Sequence, residues 1–100
     1  VAVKMSIPPL NELLEASLPE SIENEIITTA SSVNGVNDIH NLKTRRNGIS
    51  AIIDAHIVVD PHISITEAHD IATEVEEALR RKLGNETQIS IHIEPDKNSK

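Results

Sequence analysis

The chain contains no cysteine, so neither disulfides nor thiolate–metal bonds are available to it. Any metal site must be built from imidazole and carboxylate. It has no Phe, Tyr or Trp, which removes the stacking platforms that single-stranded nucleic acids use. Basic residues are scarce: 9 Lys and Arg stand against 16 Asp and Glu, for a net charge of −7. Nucleic-acid binding needs a basic footprint to replace counterions and is not expected. No apolar run approaches the roughly 20 residues that span a bilayer. No signal-peptide pattern is present either. With only 3 glycines, the chain holds no Gly-rich phosphate loop.

What remains is one small domain of 100 residues, 38% hydrophobic and 25% charged. That composition supports a core and is too apolar for a disordered chain. Fifteen residues are Ile, so the core must be aliphatic and branched. A domain of this size buries only about 60–70% of its unfolded surface, and a partner subunit or bound metal would help stabilise it. Beginning at Val1 rather than Met, the chain reads as an excised fragment or a processed product.

Residues 1–16 read as a lead-in. Ile7-Pro8-Pro9-Leu10 is excluded from helix interior, and Asn11 to Ala16 has the pattern of a short helical turn. Ser17-x-x-Glu20 predicts a capping box, with Ile22, Ile26, Ala30 and Val33 at helical spacing behind it. The expected first helix spans about 18–32 and ends at Asn34-Gly35. A strand follows over Val36 to Arg46, with an expected bulge near Asp38 because its apolar positions do not alternate cleanly. Asn47-Gly48 marks a hairpin. Ala51 to Asp60 alternates clearly: Ala51, Ile53, Ala55, Ile57 and Val59 point one way, Ile52, Asp54, His56 and Val58 the other. Ser64-x-x-Glu67 opens a second helix over about 65–83, closed by Gly84. Thr87 to Glu94 predicts the last strand, and 97–100 a polar tail.

The order helix–strand–strand–helix–strand predicts an α+β, two-layer open-faced sandwich: two helices over one face of a three-stranded mixed sheet. The hairpin strands are antiparallel, and the strand–helix–strand crossover places the last strand parallel to the second. The other sheet face has no cover within the chain.

Alternation then groups the histidines. If the isoleucine faces pack under the helices, His56, His92 and Glu94 share the open face. His92 and Glu94 lie about 6–7 Å apart along their strand. A three-residue loop Asn47-Gly48-Ile49 would add His40, directly opposite His56. Imidazoles and carboxylates in one group are a cation site; zinc accepts them at roughly 2.0–2.2 Å, and cobalt, nickel or iron also use them. On residue pattern alone, surface histidines beside carboxylates on a solvated face are the commoner arrangement, and His-x-Glu is a weak motif. His69 lies at the edge of the second helix and must reach around the sandwich, or come from a second subunit, to join them. His62 reads as a loop residue.

Several segments in order resemble the cation diffusion facilitator (CDF) transporters. Asn11 to Pro19 resembles the segment that follows their last membrane helix. His40-Asn41-Leu42-Lys43-Thr44-Arg45 resembles their His-Asp-Leu-Arg-Thr-Arg strand, and Asp54 to Asp60 their second strand. Glu67 to Ala72 resembles their second helix, and Ile91-His92-Ile93-Glu94-Pro95 their terminal His-x-Asp/Glu-Pro strand. The resemblance covers about residues 10–96. It implies a C-terminal cytoplasmic domain of an inner- or plasma-membrane efflux transporter, with a ferredoxin-like, metallochaperone-like fold. Residues 1–16 then become the linker from a covalently attached transmembrane domain, and 17–96 a regulatory homodimerisation domain. It further implies divalent cations bound near the dimer interface. The family's ligands fall on His40, His56, His69, His92 and Glu94, with Asp96 where some members place another. Glu94 stands where some members use aspartate. Zn, Cd, Co, Ni, Fe and Mn are all compatible, and the direction of any conformational change is left open. The transport site of the family lies in its membrane domain, outside this chain.

The expected mechanism is metal-driven closure of two acidic domains across their open faces. Two alternatives stand beside it: a structural dimerisation module without physiological metal, and a free-standing metallochaperone-like carrier. No enzyme is expected, since no H-E-x-x-H helix is present.

Overall fold

The computed structural model describes residues 17–98. The lead-in and its helical turn lie outside the described residues. Five elements follow in the expected order: α1 (Glu20–Ser31), β1 (Asp38–Asn47), β2 (Ser50–Val59), α2 (Ile65–Leu83) and β3 (Gln88–Pro95). The sheet runs β1-β2-β3. β1 and β2 are antiparallel, β2 and β3 parallel. The mixed open-faced sandwich expected from the element order is therefore the fold observed.

Helix α1 starts at Glu20, later than the capping-box reading placed it. Its N-cap is Pro19, with no side-chain cap. The physical reason lies one residue earlier. A residue before proline is pushed out of helical geometry, and Leu18 is instead tied to the sheet. Its amide donates to Thr44 Oγ1 at 3.0 Å, and Thr44 Oγ1 donates to Glu23 Oε2 at 2.6 Å. Thr44 is buried, so this hydroxyl satisfies three elements at once: the incoming chain, α1 and β1. The helix then buries Ile26 and Ala30 completely. The turn that leaves it passes close to α2. Gly35 has φ 100, and a Cβ there would meet Ile71 Cδ1 at 2.5 Å.

Helix α2 begins and ends where its signals stand. Ser64 Oγ accepts from the Glu67 amide at 3.1 Å, and Gly84 closes the last turn at φ 111. Ala72, Val75 and Leu79 are its buried stripe. They pack with Ile26, Ala30, Ile53, Ile57 and Val59 into one aliphatic core. Along β2 the odd-numbered residues Ile53, Ala55, Ile57 and Val59 are buried, and the even-numbered ones are only half-buried. The helices thus cover the odd face, and Asp54 and His56 stand on the even, open face.

Two expectations about the hairpin are corrected. The turn has two residues, Gly48 and Ile49, with Asn47 opposite Ser50. Gly48 has φ 63, the left-handed geometry a two-residue turn needs. The bulge lies not near Asp38 but between His40 and Lys43. Asn41 carries φ 55, and asparagine is among the few non-glycine residues that adopt it readily.

Candidate metal centre

His40, His56 and His92 form one continuous row across the sheet. The register pairs His40 with His56 on one side and His56 with His92 on the other. The His56 and His92 rings stack at 4.7 Å with 20° between their planes. His40 tilts against His56 at 5.7 Å. Three imidazoles at one level of a sheet are the direct product of strand alternation and register.

Each end of the row has its own carboxylate. Glu94, two residues beyond His92, lies beside Val58 and reaches back toward the first two rings. His40 Nε2–H donates to Glu94 Oε2 at 2.9 Å, and His56 Nδ1–H donates to Glu94 Oε1 at 2.5 Å. On the opposite side of the row, Asp54 Oδ1 accepts from His92 Nε2–H at 3.0 Å. An ionised carboxylate can only accept, so these contacts assign the protonated nitrogen of each ring. The second nitrogen of each neutral ring keeps a free lone pair. The His56 hydrogen bond is the largest influence on Glu94 and lowers its pKa. Partial desolvation opposes it, and the charges of His40 and His56 and the His40 hydrogen bond add to the lowering.

Asp54, His56 and His92 each offer one donor atom within 4.8 Å of the others. Donors around a tetrahedral zinc sit about 3.3 Å apart, so modest side-chain rotation brings these three to ligation distance. The donor set is imidazole and carboxylate, which suits borderline divalent ions.

The other expected ligands sit apart. Asp96 follows β3 and lines a shallow groove of about 500 Å³ with Asn37, His40 and Glu94. Its carboxylate accepts from Asn37 Nδ2 at 3.0 Å and from the Asn98 amide at 2.9 Å. His69 is exposed on α2, which covers the other sheet face. Among the described residues no hydrogen bond or ion pair joins it to the row. Asp54 was absent from the expected ligand set. Its signal was present all the same: Asp54-x-His56 places a carboxylate and an imidazole on one strand face, as His92-x-Glu94 does.

Residues 18–96 match the family described as "Cation efflux protein, cytoplasmic domain". The chain is 32% identical over 94 residues to the cation-efflux pump FieF of Citrobacter koseri, and 31% identical to that of Salmonella typhi. These matches cover 94% of the chain but only 31% of each pump. Among solved structures, a nickel form of a MamM CTD variant superposes with TM-score 0.73 at 26% identity, over 79% of this chain and 100% of that one. A copper form of another MamM CTD variant gives 0.72 at 26% identity, over 78% of this chain and 98% of that one. No helix among the described residues is long and apolar enough to cross a membrane. The chain belongs to the cation efflux, or cation diffusion facilitator, proteins, and corresponds to their cytoplasmic domain.

Proposed function

We propose that this chain is the regulatory domain of a divalent-cation efflux transporter. It binds cation on the open sheet face, at the interface between two copies, and binding draws the copies together. Residues 1–16 lead from the membrane domain, and 17–96 form the metal-responsive unit. The observation that carries this reading is the cross-strand row of His40, His56 and His92, with Glu94 bridging two of its rings.

The chemistry follows from what that row lacks when no cation is present. Glu94 supplies one negative charge to two imidazoles, and each chain carries −7 in all. Two such faces repel when brought together. A divalent ion supplies the missing positive charge and has open valences for donors from a second copy. His69, which among the described residues has no hydrogen bond or ion pair to its own row, is suited to supply a donor to the partner's row. Asp96 lies one groove away from His40 and Glu94, and reaches a cation there once it releases Asn37. For closure to switch the attached membrane domain almost completely, the closed form must bind tighter by roughly 5.5 kcal/mol. Zinc fits the donor set; Cd, Co, Ni, Fe and Mn remain alternatives. The nickel and copper forms of the MamM relatives are in keeping with such a cation.

Calorimetric titration of Zn²⁺ into chelator-stripped protein tests the proposal, beside a His56→Ala/His92→Ala double variant. Saturable micromolar or tighter binding that the variant loses is expected. Because an imidazole must be unprotonated to bind metal, affinity falls between about pH 7.5 and about pH 5.5. Weak binding that survives both substitutions would leave a dimerisation module without physiological metal.

A further inference from the structure

We infer that one pole of the domain, built from the β1–β2 turn and the C-terminus of α2, docks on an anionic lipid surface. The inference rests on the reading of residues 1–16 as the lead from a membrane domain. It concerns side chains outside the histidine row.

Topology collects the basic residues. β1 runs toward the turn, so Arg45 and Arg46 stand beside it. α2 ends just before β3, and β3 starts beside the first residues of β2, with Gln88 opposite Ile52. Arg80, Arg81 and Lys82, in the last turn of α2, therefore reach the same end of the sheet. Five of the 9 Lys and Arg thus gather at one pole. The described chain enters there too: Leu18, Arg46, Ile49 and Leu83 line one groove of about 500 Å³.

Charge divides along the molecule. Glu20 and Glu23 in the first turn of α1, and Glu86 beside the groove, are the carboxylates in the terminal turns of the basic pole. Arg80 pairs with Glu76 at 3.7 Å. Arg45, Arg46, Arg81 and Lys82 are exposed and, among the described residues, form no ion pair. The opposite pole is acidic, with Asp38 opening β1, Asp60 after β2, Glu67 and Asp70 at the start of α2, and Asp96 after β3. Lys97 is the basic residue beside them.

The turn adds an apolar tip. Ile49 is 93% exposed. A bare isoleucine among exposed cations has the makings of an interfacial anchor. Its side chain enters the headgroup boundary, while long Arg and Lys side chains hold phosphates beside it.

An anionic leaflet carries a negative surface potential that fades within a Debye length, about 10 Å at 0.1 M ionic strength. Near it each Lys or Arg contributes about a fivefold gain in partitioning. The same field repels the acidic pole, so docking sets orientation as well as position. Attachment to a membrane domain raises the local concentration, and contacts that are weak in isolation then hold the domain. The open face stays free to meet a second copy.

The chain has no Trp, so Ile49→Trp places a single fluorescent reporter at the tip. The whole chain is mixed with vesicles of phosphatidylcholine alone, or with roughly one-third phosphatidylglycerol. Chelator is present throughout, so that no cation bridges protein and phosphate. The expected result is a blue shift in emission with the anionic vesicles only, weakening as salt is raised. Co-sedimentation of the chain with Ile49 intact follows the same order. Combined Arg46→Gln, Arg81→Gln and Lys82→Gln lowers partitioning roughly a hundredfold, and Lys97→Gln at the acidic pole leaves it unchanged. Thermal melting checks that each variant is folded. No preference for the anionic vesicles would overturn the inference and leave the basic pole to an acidic protein segment. Anionic binding that survives the triple substitution would overturn it as well. Zn²⁺ titration of the same chain reads the open-face site separately, so failure here and failure of that reading are distinguishable.

Discussion

Glu94 bridges two rings of the histidine row, His40 and His56. Its carboxylate joins two strands that are not neighbours, since β2 lies between β1 and β3. The hydrogen bond from His56, helped by the charges of both histidines, lowers its pKa against some desolvation. A carboxyl with a lowered folded pKa releases its proton more readily in the native state than in the unfolded one. Its contribution to stability is complete above the ordinary carboxylate range. As pH falls, the unfolded chain takes the proton first, and the contribution is lost down through Glu94's lowered value. Glu94→Gln removes this linkage. In chelator, the acid limb of a plot of melting temperature against pH is expected to be shallower for the variant than for the native protein. Superimposable limbs would show that the carboxylate–imidazole contacts carry no net stability. Asp54 illustrates a different limit at this scale. Its position on the open face was readable from alternation in β2. Its pairing with His92 depended on the β2–β3 register, which no residue pattern specified.

At the scale of elements, the hairpin shows how a correct juxtaposition arises from features that the sequence hid. Along the turn end of the ladder the residue numbers of partners sum to 97, as for Asn47 and Ser50. Beyond the bulge they sum to 96, as for His40 and His56. Continued without the bulge, the two-residue turn would set His40 opposite Ile57, on the core side of the sheet. The expected three-residue loop led to the right partner for His40 through the wrong geometry. The longer turn and the absent bulge offset one another. Elements bounded by strong local chemistry were legible outright: α2 runs from the Ser64 cap to Gly84 as read. The start of α1 was not, because a tertiary bond from Leu18 to Thr44 outweighed the local capping pattern. The bulge itself is testable. Asn41 sits at φ 55, where a β-branched side chain clashes with its own backbone. Asn41→Val is expected to cost about 1–2 kcal/mol in urea denaturation, and Asn41→Gly close to nothing. Equal stabilities for Val and Gly would mean that the left-handed residue does not restrain the strand.

For the molecule as a whole, charge and shape act against one another. The fold covers one sheet face with helices and leaves the other bare. That bare face carries the histidine row and its carboxylates, the proposed cation site, in a chain with net charge −7. The aliphatic core, with Ile26, Ile53, Ile57, Val75 and Leu79 fully buried, lies wholly on the helix side of the sheet. Association of two copies through that face, as proposed, sets apolar contact against like-charge repulsion. Salt screens repulsion between exposed charges over about 10 Å at 0.1 M ionic strength, so the metal-free pair is expected to tighten as salt is raised. In the proposed dimer, bound cation would cancel part of the same charge at its source and hold donors from both copies. With saturating Zn²⁺ the pair is then tighter at every ionic strength, and the dependence on salt is flatter. Sedimentation equilibrium across a salt series, with chelator and with Zn²⁺, measures both effects, and small-angle scattering reads the accompanying fall in radius of gyration. A metal-free pair that weakens as salt rises would point instead to complementary charges across the interface. Curves that coincide with and without Zn²⁺ would separate metal binding from closure, because a ligand shifts only an equilibrium whose two states it binds unequally.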